Sequence, residues 1–75
     1  EPVMTKDLDY YMALHYAILI RPEEDSWSAT IPDLSGCLAV GDTIQEALDL
    51  LEDAKHSWIS ASIAHHLPIP EPSNQ

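Results

Sequence analysis

Asp42, Glu46, Asp49 and Asp53 recur three or four residues apart, and no lysine or arginine interrupts them. Carboxylates in such numbers could do two kinds of work. Converging on two divalent ions ~4 Å apart, they would drive metal-assisted hydrolysis. Left in water along one face, they would attract and orient a basic partner. The spacing favours the second use. Asp33 and Asp42 fall in loops flanking an expected strand, and Asp49 and Asp53 fall on the solvent side of an expected helix, so nothing brings them to one point. Asp42, Glu46, Asp49 and Asp53 are therefore read as a partner-binding surface, with a merely solvated face as the alternative.

The remaining reactive side chains offer less. His65 and His66 are neighbours near an expected helix end, where an imidazolium interacts well with the macrodipole and adjacent residues do not share a face. They read as end-cap residues rather than ligands. His56 with Glu52 or Asp53 could touch zinc on the helix surface, but a single cysteine and the lack of an H-x-x-x-H spacing leave no four-ligand set. No metal and no cofactor is expected. His15 sits in an otherwise apolar stretch and reads as a partly buried packing residue, with a partner contact as the alternative. Cys37 lies between Asp33 and Asp42 without the positive surroundings that activate a thiolate, so it reads as a small apolar turn residue.

Residues 27–47, WSATIPDLSGCLAVGDTIQEA, organise the elements that must carry these groups. Trp27, Ala29 and Ile31 alternate with Ser28 and Thr30, the period of a strand with one buried face, so Trp27 should point inward. Pro32, Asp33 and Gly36 then supply a turn. Leu38 to Val40 makes a second short strand closed by Gly41. Thr43 and Glu46 form a capping box in which the threonine hydroxyl takes the Glu46 amide and the Glu46 carboxylate returns to the Thr43 amide. The helix that starts at Ile44 places Ala47, Leu48, Leu51, Ala54, Trp58 and Ala61 on one face. It should run over 44–65 before Pro68, Pro70 and Pro72 force an extended tail over 66–75.

Upstream, Met4, Leu8, Tyr11 and Met12 predict a short helix over 4–13 with Thr5 as a possible cap. From Leu14 the period changes to two. Both sets of residues through Ile20 are apolar, which predicts the central strand of the sheet. The chain reads as one α+β domain of order α-β-β-β-α: a short N-terminal helix, a three-stranded antiparallel sheet over 14–40, and one long helix across a face.

IPDLSGC followed by GDTIQEAL, then Trp58 within the helix and IPEPS near the end, resembles the HicB-like antitoxin domains over about residues 16–73. Ser35 stands where that pattern usually has a second proline, and the C-terminal DNA-binding segment that many members carry lies outside these 75 residues. The resemblance implies a fold similar to a reduced ribonuclease H and a binding module without catalytic acids. Its partner would be a small basic HicA-type ribonuclease toxin of a type II toxin-antitoxin pair. An alternative of another class is a stand-alone oligomeric module, regulatory or structural, with a different partner.

Composition agrees with a binding role. Thirteen acids against Lys6, Arg21 and Lys55 give a formal charge of −10, which repels a phosphate backbone and favours a basic partner. No direct nucleic-acid binding is expected. With 45% hydrophobic residues the chain can fold, yet at this length a single core is barely sufficient, so a homodimer or larger homo-oligomer is expected. A lone cysteine, no apolar run long enough for a membrane helix and no signal-peptide layout predict a soluble cytoplasmic protein.

Overall fold

The period-two stretch at Trp27 forms the middle of the sheet, and the rest of the chain is arranged on either side of it. The computed structural model describes residues 7–72. In chain order it contains α1 (Leu8–Met12), β1 (Leu19–Pro22), β2 (Trp27–Thr30), β3 (Leu38–Gly41) and α2 (Ile44–Ala64). The sheet is antiparallel with β2 between β1 and β3. Leu19, Thr30 and Leu38 align across it, as do Arg21, Ser28 and Val40. Ala29 and Ala39 share the opposite face, on which α2 packs, and Ala29 is fully buried there.

β1 departs from expectation twice: it begins at Leu19 rather than Leu14, and it lies at an edge rather than at the centre. The segment before it is held by α2 and the tail instead. Lys55 Nζ donates to the carbonyls of Met12 and Leu14 at 3.3 and 3.4 Å, and the Tyr16 hydroxyl donates to the Pro70 carbonyl at 2.6 Å. Burial, followed by the Glu71 carboxylate, pushes the Tyr16 pKa up to about 12, so that hydroxyl remains a donor at neutral pH. An apolar pattern on both sides of a strand predicts burial on both sides. Here it belongs to an edge strand that the helix does not cover.

α1 is capped by Asp7, whose Oδ1 accepts from the Tyr10 amide at 3.0 Å, and not by Thr5. The expected turn over 4–6, like tail residues 73–75, lies outside the described residues. α2 ends one residue earlier than predicted. His65 is its C-cap and His66 adopts φ 56, with His66 N–H bonded to Ile63 O and Leu67 N–H to Ser62 O. That pair of bonds is a Schellman closure, and it turns the chain into the extended tail.

The core joins Ile31, Leu34 and Cys37 from the β2–β3 connection to Leu51 and Ile59 of α2. The buried line of the helix is Ala47, Leu51, Lys55, Ile59 and Ser62. This corrects the predicted face by about one residue: Ala61 is exposed, and Trp58 stands at the margin, partly buried. The indole N–H explains the placement of Trp58. It needs an acceptor and finds the Ser35 carbonyl at 2.8 Å, so the ring clamps the Pro-Asp-Leu-Ser-Gly turn from its rim. Within that turn Leu34 N–H bonds Ile31 O and Cys37 N–H bonds Leu34 O, while Gly36 takes φ 86. Gly41 is needed for a different reason. A Cβ there would lie 2.6 Å from the Ala47 nitrogen, so β3 and the first turn of α2 can touch only through a glycine.

Candidate partner-binding surface

Helical spacing and an N-cap set the acidic surface. The Thr43 hydroxyl accepts from the Glu46 amide at 3.0 Å, which fixes the start of α2. Glu46 Oε1 accepts from the amide of Asp42 at 2.7 Å, not from that of Thr43 as predicted, so the box closes one residue further out and holds Asp42 against the helix. One turn on, Gln45 Nε2 donates to Asp49 Oδ1 at 2.9 Å. Asp42, Glu46, Asp49 and Asp53 are all exposed, with Glu52 exposed beside them. Glu46 and Asp49 are thus oriented by short hydrogen bonds.

Among the described residues no lysine or arginine of α2 faces outward beside these carboxylates, because of a residue whose role the sequence reading missed. Lys55 is the one basic side chain of α2 apart from histidine, and it turns inward. It is buried, bonded to the carbonyl of Met12 at the end of α1 and to that of Leu14 just beyond it, with its ammonium 5.3 Å from the centre of the Tyr16 ring. A cation at the C-terminal end of α1 meets that helix's negative pole and leaves the outer face of α2 with carboxylates but no lysine or arginine. The signal was present: Lys55 lies four residues after Leu51 and four before Ile59, on the buried line.

The other candidate groups are not assembled into a site. Among the described residues no three of His, Cys, Asp or Glu converge where they could hold a metal ion. His56, His65 and His66 are exposed. His15 is exposed rather than partly buried, because it falls in the irregular segment before β1 and not within a strand. Cys37 is buried, and burial raises its thiol pKa despite the opposing influence of Lys55, so it stays a protonated packing group at neutral pH. Among the described residues no helix is long and apolar enough to cross a membrane.

Comparison with known proteins gives these surfaces a setting. The family model described as the HicB-like antitoxin of bacterial toxin-antitoxin systems matches residues 16–75. Two proteins of Synechocystis sp. are similar over 58 residues. UPF0150 protein ssl0259 is 38% identical over 76% of this chain and 80% of its own length. UPF0150 protein ssr1765 is 36% identical over 76% of this chain and 73% of its own. No solved structure matches the chain at a significant level. The matched residues begin at Tyr16 and include the sheet, α2 and the Pro-Asp-Leu-Ser-Gly turn, while α1 precedes them.

Proposed function

We propose a function from one premise: the chain belongs to the HicB-like antitoxin family of bacterial toxin-antitoxin systems. On that premise it is an antitoxin that binds and masks a small basic ribonuclease toxin of the HicA type. The observation that carries this reading is the exposed stripe Asp42, Glu46, Asp49 and Asp53, which the inward turn of Lys55 leaves without an outward lysine or arginine on α2. A toxin that grips RNA phosphates must present a cationic surface. A row of carboxylates on a rigid helix competes for that surface, steering the encounter and then occupying the place of the phosphates. Inhibition is occlusion and asks no chemistry of this chain. The charge of −10 keeps the chain itself off nucleic acid, and self-association as a homodimer or larger homo-oligomer supplies the burial that 75 residues lack.

Charge reversal at Asp49 and Asp53 tests the surface without disturbing the cap at Glu46. Asp49→Lys/Asp53→Lys is expected to slow association with a HicA-type toxin by about tenfold or more. Added salt should slow the wild type markedly and the variant little. Circular dichroism should be unchanged, since both positions are exposed. A folded variant that associates at the wild-type rate would show that the stripe is only solvated and that recognition lies elsewhere on the molecule.

A further inference from the structure

β1 is apolar on both sides and covered on neither. Ile18, Leu19 and Ile20 are 46%, 50% and 36% exposed, although Ile20 lies on the face of the sheet that α2 packs against further in. α2 lies over β3 and β2 and stops short of β1. The backbone of this edge is also open. Glu23 N–H donates to Ser26 O, and the register pairs Arg21 with Ser28 and Leu19 with Thr30. Odd-numbered residues therefore turn their amides and carbonyls toward β2, and Ile18, Ile20 and Pro22 turn theirs outward. Pro22 has no N–H to leave unpaired, which suits the outer side of an edge strand.

We infer that β1 is the edge through which two copies of this chain pair, antiparallel about Ile20, to form one continuous sheet. This specifies where the self-association named above occurs and rests on that part of the reading. Three features of the edge select a second copy as the occupant. The first is register. A two-fold axis normal to the sheet at Ile20 lets Ile20 exchange both backbone bonds with the partner's Ile20, while the Ile18 amide reaches the carbonyl of the partner's Pro22. Leu19 and Arg21 then alternate across the junction on one face, and the only missing donor is the proline's, at the end of the ladder.

The second feature is charge. Residues 17–22 contain no acid, and Arg21 is the one exposed lysine or arginine among the described residues. A basic partner is repelled at this strip, whereas a second copy brings no acid and a single arginine to it. In the register about Ile20, Arg21 faces the partner's Leu19 and Glu23 falls opposite the partner's Ala17, so no like charges meet. The third is the position of α2. Pairing through β1 separates the two β2 strands by three spacings of ~4.8 Å, which carries the acidic stripes beyond the ~8 Å screening length at physiological salt. Pairing through β3, which α2 overlies and which leads straight into Asp42 and Glu46, would bring the stripes together.

Sedimentation equilibrium on the full chain and two variants tests the edge. The wild type should be dimeric or a multiple of it at micromolar concentration. Ile18→Lys/Ile20→Lys, which places charges on an exposed edge, should weaken self-association by at least a hundredfold. Leu38→Lys/Val40→Lys, on the free face and the β3 edge, should leave it unchanged. A hydrogen-exchange measurement on the wild type guards against a variant that fails to fold: the amides of Ile18 and Ile20 should exchange at least tenfold more slowly as protein concentration rises through the dimerisation midpoint. A wild type that stays monomeric overturns both the edge and the self-association it specifies. If the wild type dimerises while Ile18 and Ile20 exchange at the same rate at every concentration, or if only the Leu38/Val40 variant dissociates, the edge assignment falls and self-association stands.

Discussion

Gly41→Ala is expected to destabilise the fold by about 3 kcal/mol, although it adds a single methyl group. That methyl would meet the Ala47 nitrogen at 2.6 Å and the Glu46 carbonyl carbon at 2.9 Å. Both are backbone atoms of the first turn of α2, which cannot rotate away as a side chain would. Relief requires moving the helix start off β3, and with it Ala47, which is fully buried, and the bond from the Asp42 amide to Glu46. A domain of this size has roughly 4 to 11 kcal/mol of total stability, so the loss is a large share of it. Gly36→Ala is the internal comparison. Gly36 has φ 86 but nothing within 4 Å of an added Cβ, so only backbone strain is added, about 1 to 2 kcal/mol. Urea unfolding at one fixed protein concentration measures both, because self-association would otherwise enter the midpoint. Equal losses for the two variants would show that the contact between β3 and α2 is looser than the structure has it.

Ile59→Ala is the second large effect, about 3 kcal/mol and within the 2 to 5 kcal/mol range of fully buried aliphatic truncations. Ile59 has no exposed surface and sits on the helix line between Lys55 and Ser62, beneath the strand face that carries Ala29. Leu50→Ala, from the same helix but 42% exposed, should stay within about 0.5 kcal/mol. Reversal of that order in the unfolding midpoints would mean that α2 is rotated about its axis relative to this structure.

These two sites also show how far the fold could be read from residues alone. Periodicity found α2 to within a residue at its end, and Thr43 with Glu46 located its start, because helix caps are local chemistry written in adjacent side chains. Position around the helix was harder. Trp58 is the largest apolar residue of α2 and drew the predicted face toward itself, but its N–H is satisfied by Ser35, twenty-three residues away. The place of Lys55 on the buried line is not legible in sequence beyond its spacing, since its acceptors, the carbonyls of Met12 and Leu14, lie at and just beyond the end of α1, which only tertiary structure brings near. β1 was misplaced for a related reason. An apolar pattern on both sides does not distinguish a strand buried by its own chain from one left open at an edge. The acidic stripe was legible as charge, whereas the lack of an outward lysine or arginine on α2 depends on which way Lys55 turns.

The central claim is that this chain neutralises a basic ribonuclease by covering its RNA-binding surface. The most direct measurement is RNA cleavage by the HicA-type toxin of the same genome, titrated with this chain at ~0.15 M salt. Cleavage should fall linearly to zero at a fixed stoichiometric ratio, and RNA in excess should slow the onset of inhibition because it competes for the same cationic surface. Cleavage that continues undiminished with the chain in large excess would contradict the antitoxin reading.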